Sequence, residues 1–184
     1  MTRAVILVSR GFQDQEFCYM FDRALEEGWA VDIATPSVWR KDGEEHSGKP
    51  DQIFGSFGVP AKITKTTDDL RVEDYDLVMI PGGFISPDIL RMRPEVLTFV
   101  RNMFDSGKLV AAICHAPWVL ISAGIVKGIR ATCYASLKDD LINAGAIYVD
   151  NIPVVTHMNI ITSDHYKNNG PFMRAVVNYI NARA

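Results

Sequence analysis

The sequence predicts an α/β protein with a mostly parallel central sheet and helices on both of its faces. Short apolar runs alternate with helix-like segments along the 184 residues. Runs such as 4–9 and 109–113 are apolar almost throughout, as in strands that are buried on both faces. Gly28 and Gly107 follow two of the helix-like segments, at positions where helices commonly end. This alternation indicates strands joined by helical crossovers in one layered domain.

The elements follow from the pattern in chain order. Met20, Phe21 and Leu25 are spaced to share one face of the first helix, and residues 61–64 alternate like an edge strand. The expected strands are 4–9, 30–34, 61–64, 76–80, 109–113, 131–133, 146–149 and 153–162. The expected helices are about 15–27, 94–106, 117–123, 136–144 and 171–182. The polar stretch 40–56 is predicted to be a surface loop, inserted within a single domain that spans residues 1–184.

Composition and charge argue against several classes of protein. A net charge of −3 without a Lys/Arg cluster argues against a nucleic-acid-binding surface. No apolar run approaches the roughly 20 residues of a membrane span, and Met1 leads into a strand rather than a signal peptide. The three cysteines, Cys18, Cys114 and Cys133, are too few and too scattered for a disulfide framework. We therefore expect a cytoplasmic protein with no nucleic-acid partner and no membrane partner.

Cys114 stands where an apolar strand stops abruptly and helix-forming residues follow. This arrangement is typical of a nucleophile elbow, in which a sharp turn lifts one side chain out at the carboxyl edge of the sheet. The start of the next helix would favour the thiolate, and its free N–H groups could hold a developing oxyanion. A buried cysteine that serves only for packing is the alternative interpretation.

Two other predicted strands end beside polar or flexible residues. Glu16 lies near the start of the helix that follows strand 4–9, and Pro81-Gly82-Gly83 directly follows strand 76–80. The carboxyl ends of parallel strands share one edge of the sheet, where open α/β sheets bind ligands. Two glycines let backbone N–H groups approach a substrate closely, although a Gly-Gly pair taken alone also fits an ordinary turn.

These landmarks, in this order, resemble the ThiJ/PfpI family, which includes intracellular protease I and the Parkinsonism-associated deglycase. The match is closest to the PfpI branch and covers segments 11–16, 81–83, 112–115, 120–128 and 138–146. The resemblance implies a flavodoxin-like sandwich, similar to class I glutamine amidotransferases, and a cysteine enzyme that needs no cofactor. It also implies a homodimer or a higher homo-oligomer.

The resemblance further implies roles for individual residues. Cys114 matches the nucleophile, Glu16 the carboxyl group that contacts its sulfur, and His115 the histidine of the Cys-His pair. Asp88 lies where the branch places an acidic residue that reaches this histidine of a neighbouring subunit; a helix cap is the alternative for Asp88. A thiolate and a carboxylate in contact share a proton, so Glu16 and Cys114 should titrate together. We expect the ring of His115 to point away from Cys114, because neighbours at a tight turn usually diverge.

The remaining candidates lie around the predicted pocket. Gly82 or Gly83, with the backbone N–H of His115, would form the oxyanion hole. Ala116 replaces a glycine that the family usually has, and Trp118 follows close behind. The other candidate substrate contacts are Tyr134, at a position where the branch often has a tyrosine, and His165, in a stretch where the branch carries an arginine. The nucleophile is therefore retained while the residues that choose the substrate differ.

Two general expectations follow for the chemistry. His157 and His165 lack the spacing of a metal site, so we expect no bound metal. The family resemblance implies peptidase, amidase, glyoxalase-III-like or deglycase activity, in which Cys114 attacks the substrate as a hydrolase or lyase. The substrate that it implies is a small carbonyl compound, such as methylglyoxal, or a short peptide. The alternatives are a stress or redox-sensing protein with an oxidisable Cys114, and a specialised biosynthetic hydrolase or hydratase.

Overall fold

A seven-stranded sheet forms the centre of the computed structural model, which describes residues 1–41 and 44–183. The strands are β1 (Arg3–Leu7), β2 (Ala30–Thr35), β3 (Val38–Lys41), β4 (Glu44–Ser47), β5 (Gln52–Phe54), β6 (Pro60–Lys62), β7 (Lys65–Thr66), β8 (Leu77–Ile80), β9 (Leu109–Ile113), β10 (Arg130–Ala131), β11 (Ile147–Tyr148), β12 (Val154–His157) and β13 (Ile160–Ser163). The helices are α1 (Asp14–Glu26), α2 (Ile85–Leu90), α3 (Pro94–Asp105), α4 (Pro117–Ser122), α5 (Lys138–Asn143) and α6 (Asn169–Asn181).

The central sheet has the strand order β12-β13-β9-β8-β1-β2-β7. Every neighbouring pair is parallel except β12 and β13, which form an antiparallel hairpin at one edge. This arrangement confirms the predicted fold class. Since β9, β8 and β1 are adjacent, the segments that follow their carboxyl ends lie side by side at one edge of the sheet.

Two apolar layers cover the two faces of this sheet. On one face α1 and α6 pack through residues such as Phe17, Met20 and Phe172, and on the other α3, α4 and α5 pack through residues such as Phe99 and Leu120. The residues of β9 alternate between the two layers and are all buried. This double burial explains why the sequence of β9 is apolar throughout.

The segment that follows β2 differs from its predicted form. Residues 40–56 were predicted to be a surface loop, whereas β3 pairs antiparallel with β4, and β5 pairs antiparallel with β6, in two small hairpins. Residues 42 and 43 of that prediction lie outside the described residues. The predicted edge strand 61–64 likewise belongs mainly to the second hairpin, and only β7 joins the central sheet. Short polar hairpins of this kind lack the apolar periodicity by which strands are detected.

Helix α2 is a second element that was not among the predicted helices. Its N-cap is Phe84, so Asp88 lies in the first turn and is not the helix cap that the sequence offered as the alternative. The five predicted helices begin and end within a few residues of the structure, and β9 has its predicted bounds. Among the described residues, no helix is both long enough and apolar enough to span a lipid bilayer.

Candidate active site

Cys114 is the first residue after β9, and its backbone is held in a sharply turned conformation. Its φ of 62° is positive, which is uncommon for a residue with a side chain and carries strain. Two backbone hydrogen bonds fix the turn: the N–H of Cys114 donates to the carbonyl of Ser163, and its carbonyl accepts from the N–H of Tyr134, each at 2.9 Å. The side chain is nearly buried, so its chemistry is shaped by the few groups around it.

Glu16 is one of these groups, and it is completely buried in the first turn of α1. The side chain of Gln13 caps this turn by accepting from the N–H of Glu16 at 2.9 Å. One carboxyl oxygen, Oε2, accepts from the N–H of Gly82 at 2.6 Å, while Oε1 is buried and has no hydrogen-bond partner among the described residues. Burial disfavours the carboxylate and raises the pKa of Glu16 to about 7, although the Gly82 bond opposes the shift.

The thiol of Cys114 and the carboxyl group of Glu16 form a coupled pair. They share a side-chain hydrogen bond, and burial together with the charge of Glu16 raises the pKa of Cys114. The sequence led us to expect a lowered thiol pKa, but burial and the adjacent carboxylate outweigh the start of the six-residue helix α4. Once Glu16 is protonated, the repulsion of the thiolate disappears, so one proton remains shared between the two groups near neutral pH.

The backbone N–H groups of Gly83 and His115 donate towards the sulfur of Cys114 and favour its thiolate form. The N–H of Gly82 is instead occupied by Glu16. The two glycines, which the sequence offered as alternatives, therefore have different positions: Gly83 is placed beside the reacting atom, and Gly82 holds the carboxyl group. This division depends on which way each peptide plane faces, which no sequence pattern reports.

Gly82 also leaves no room for a side chain. A Cβ atom there would lie 2.6 Å from the Cβ of Cys114, 2.9 Å from Oε2 of Glu16 and 2.9 Å from the carbonyl oxygen of Ile113. Two of these atoms belong to Cys114 and Glu16, so relief of the clash must displace side chains of the candidate site.

We expect Gly82→Ala to lower kcat at least about tenfold and to destabilise the fold by about 1–3 kcal/mol, the usual range for overpacking. Steady-state kinetics and thermal unfolding measure the two effects. Gly170→Ala is the matched control, because Gly170, like Gly82, has no left-handed φ and lies outside the candidate site. A Cβ at Gly170 would meet the hydroxyl oxygen of Tyr19 at 3.7 Å, which is an ordinary contact rather than a clash. A Gly82→Ala enzyme with unchanged kcat would show that the close packing is not needed for turnover.

His115 turns its ring towards Cys114, which contradicts the expectation that the two side chains diverge. Its Nδ1 lies 3.2 Å from the sulfur, and its Nε2 lies 3.5 Å from the hydroxyl oxygen of Ser136. Burial lowers the pKa of His115, so the ring is neutral near pH 7. The positive φ of Cys114 bends the chain so that successive side chains lie together, and the argument from ordinary tight turns does not apply.

A row of rings extends from His115 along the surface of the site. Tyr134 stacks on His115 with 4.7 Å between ring centroids, and His165 stacks on Tyr134 at 5.8 Å. Trp118 packs edge-on against His115 at 5.3 Å, and Tyr166 lies 4.1 Å from His165. The structure therefore brings the predicted substrate contacts Trp118, Tyr134 and His165 together around His115.

Asp88 lies apart from these groups. It is exposed in the first turn of α2, and among the described residues its carboxyl group has no hydrogen bond or ion pair. A single chain therefore does not bring Asp88 to His115, and contact with a neighbouring subunit stays a prediction. Within the described chain, Ser136 is the group that faces Nε2 of His115, and no pattern in the sequence had singled it out.

The loop 54–59 is hydrogen-bonded to the start of α1, beside the candidate site. The buried carboxylate of Asp14 accepts from the N–H groups of Phe57 and Val59 at 2.9 and 2.8 Å. Ser56 donates through its N–H to the carbonyl of Phe12 at 2.9 Å and through its hydroxyl to that of Gly11 at 3.0 Å. The segment 11–13 is also bonded to the glycine loop, since the N–H of Gln13 donates to the carbonyl oxygen of Gly82 at 3.0 Å.

Within residues 1–41 and 44–183, no group of three or more His, Cys, Asp or Glu side chains is arranged to hold a metal ion. The site thus consists of a thiol, a carboxyl group, an imidazole and directed backbone N–H groups.

Comparison with known proteins gives consistent relatives across nearly the whole chain. A sequence model described as the DJ-1/PfpI family matches residues 2–179. The protein named deglycase PfpI, from Pyrococcus furiosus, is 35% identical over 163 residues, which are 89% of this chain and 90% of that protein. Protein/nucleic acid deglycase 2 of Escherichia coli is 32% identical over 161 residues, covering 88% and 87% of the two chains. The crystal structure of Drosophila melanogaster DJ-1beta superposes with a TM-score of 0.84 and 26% identity, covering 95% of this chain and 88% of that one.

Proposed function

The chain belongs to the DJ-1/PfpI family, and from this premise we propose that it is a cysteine-dependent enzyme acting on small reactive carbonyl compounds. Its relatives include proteins named deglycases, which supports an enzymatic role. The single observation that carries the proposal is the buried contact between the Cys114 thiol and the Glu16 carboxyl group. A nucleophile and a carboxyl group with a pKa of about 7 at its sulfur can form a bond and move protons near neutral pH.

The first step is addition of the thiol to an aldehyde. The sulfur of Cys114 bonds to the aldehyde carbon of a 2-oxoaldehyde, and the C=O double bond becomes a C–O single bond. The N–H groups of Gly83 and His115 stabilise the oxyanion, because they already point towards this region. The thiol proton moves to Glu16 or to the neutral ring of His115 and then to the oxyanion, which gives a hemithioacetal.

The second stage is an internal proton transfer followed by hydrolysis. Glu16 as carboxylate removes the proton from C1, and C2 gains a proton through an enediol. This oxidises C1 and reduces C2, so the hemithioacetal becomes the thioester of a 2-hydroxy acid without an external oxidant. Water then attacks the thioester carbonyl, the C–S bond breaks, and the 2-hydroxy acid and the free thiol are released. A peptide or amide bond would use the same first attack, with the amine as leaving group.

We test this function by incubating the protein with methylglyoxal in D₂O and following the products by NMR. Catalytic formation of lactate with deuterium at C2 is the expected result, because the enediol takes its proton from solvent. Lactate that retains hydrogen at C2 would contradict the enediol route. Consumption of no more than one equivalent of methylglyoxal per thiol would contradict the proposed enzyme.

Redox sensing is a second candidate, favoured by the unpartnered Oε1 of Glu16. A protonated carboxyl group beside the sulfur could donate a hydrogen bond to a sulfinate formed from Cys114 by peroxide. This role requires no turnover. A protein that forms a stable sulfinate with two equivalents of peroxide per thiol, through the sulfenic acid, and converts no carbonyl compound would favour sensing over catalysis.

A further inference from the structure

A cavity lies beside the candidate active site, and Tyr134 and His165 of the row of rings form part of its wall. Its volume is about 230 Å³. Residues from three segments line it, among them Cys133, Tyr134, Tyr148, Asp150, Asp164 and His165. The cavity therefore has aromatic or imidazole walls and two carboxylates, and nothing in the chemistry proposed above makes use of it.

The charge of this cavity is one-sided. Neither Lys nor Arg is among the described residues that line it. Asp164 accepts one hydrogen bond, from the side chain of Asn168 to Oδ1 at 2.7 Å, and Asp150 accepts from the N–H of Asn151 at 3.0 Å. The second oxygens of both carboxylates have no hydrogen-bond partner within the described part of the chain. Outside the lining, the ammonium group of Lys138 lies 5.2 Å from the centroid of the Tyr148 ring.

The buried groups of the cavity respond to this charge. Burial, followed by the charges of Asp140 and Asp164, raises the pKa of Cys133 to about 12. The pKa of Tyr148 is also raised, by burial and then by Cys133 and Asp150. Cys133 is buried and lines the cavity. Since no Lys or Arg is among the described lining residues to neutralise the two carboxylates, the cavity would attract a cationic group.

The cavity is connected to the nucleophile through shared residues. Tyr134 and His165 form its wall and also continue the row of rings from His115. The N–H of Tyr134 donates to the carbonyl of Cys114, so this wall is fixed directly to the elbow. A substrate that reacts at Cys114 and lies along these two rings would place its far end in the cavity.

We propose that this cavity, through Asp150 and Asp164, binds a cationic ammonium or guanidinium group at the far end of the substrate. The carboxylates supply the opposite charge, and the rings of Tyr134 and Tyr148 form part of the wall around it. The inference rests on the proposed function, because it treats the cavity as part of the same substrate site. It predicts selectivity for carbonyl compounds that carry a positive charge several atoms from the reacting carbon.

The test compares two 2-oxoaldehydes of equal length that end in a trimethylammonium group or in its neutral isostere, a tert-butyl group. The native protein should favour the cation at least tenfold in KM with a similar kcat. Asp164→Asn and Asp150→Asn should each reduce this preference while retaining turnover of methylglyoxal. Asp139→Asn is the matched control, because Asp139 is exposed on α5 and does not line the cavity. Equal KM values for the two aldehydes in the native protein would overturn the proposal.

A binding measurement separates this inference from the function on which it rests. Calorimetry with tetramethylammonium chloride, against lithium chloride at equal ionic strength, needs no turnover. Binding that Asp164→Asn and Asp150→Asn both weaken, in a protein that converts no aldehyde, would support the cation site and overturn the proposed function. Aldehyde turnover without charge preference, and without tetramethylammonium binding, would support the proposed function and overturn the cation site.

Discussion

Cys114→Ser is expected to reduce carbonyl turnover by at least about 10³-fold, the scale at which loss of a nucleophile dominates other changes. Serine keeps nearly the shape of cysteine, so the turn at φ 62° and its two backbone hydrogen bonds should persist. Its hydroxyl group is far less acidic than a thiol, and Glu16 has too low a basicity to activate it. Initial rates with methylglyoxal, measured beside the circular dichroism spectrum, separate lost chemistry from lost structure.

Cys18→Ser is the matched control for this change. Cys18 lies on α1, is only partly buried, and contacts the apolar layer rather than the candidate site. Its replacement should leave turnover within about twofold of the native value. If Cys114→Ser remained active while Cys18→Ser lost activity, Cys114 could not be the nucleophile.

Glu16→Gln is expected to lower turnover by about 10²–10⁴-fold, the usual contribution of general acid–base catalysis. Glutamine can still accept the hydrogen bond from Gly82, but it cannot take up or deliver a proton at the sulfur. The pH dependence of kcat, which Glu16 shapes near pH 7 in the native protein, should change with it. Kinetics across pH 5–9 measure both effects, and an unaltered pH profile would remove Glu16 from the mechanism.

The same substitution should change the pH dependence of stability in a fixed direction. The pKa of Glu16 is raised in the folded state from 4.5 to about 7, so folding favours its protonated form. The contribution of this protonated carboxyl group to the free energy of unfolding is fully present below about pH 4.5 and is lost as the pH rises through about 7. Over this pH range the native protein should therefore lose roughly 3 kcal/mol of unfolding free energy that the Glu16→Gln protein keeps.

Denaturant unfolding at pH 4.5 and pH 8 tests this expectation. Glu26→Gln, the same chemical change at an exposed position of α1, should show no such pH-dependent gain. A Glu16→Gln protein whose relative stability did not rise with pH would show that the buried carboxyl group titrates normally.

The sequence alone predicted the architecture because burial on both faces leaves a clear pattern. The residues of β9 are apolar throughout, and Cys114 interrupts them at the point where the strand ends. The same reasoning placed Glu16 and the glycine loop at the same edge, since β1, β8 and β9 are parallel and adjacent. These predictions depend on the period and direction of strands, which are local properties of a sequence.

The details that escaped prediction depend on contacts between distant segments. The ring of His115 faces Cys114 because of an unusual φ, and its second nitrogen faces Ser136, which is 21 residues away. The loop 54–59 belongs to the site because its backbone meets Asp14, more than 40 residues earlier. Neither contact leaves a periodic signal, so a sequence without aligned relatives cannot reveal it.

The attachment of the loop 54–59 has a consequence for how this enzyme can evolve. Its bonds to Asp14, Gly11 and Phe12 use backbone groups of the loop, apart from the hydroxyl of Ser56. The side chain of Phe57 takes no part in them and is 82% exposed at the tip. Mutations at Phe57 can thus accumulate while the backbone bonds that hold the start of α1 persist. Sequence change is therefore expected to be tolerated at this loop tip and to be restricted at Asp14, whose carboxylate accepts both bonds.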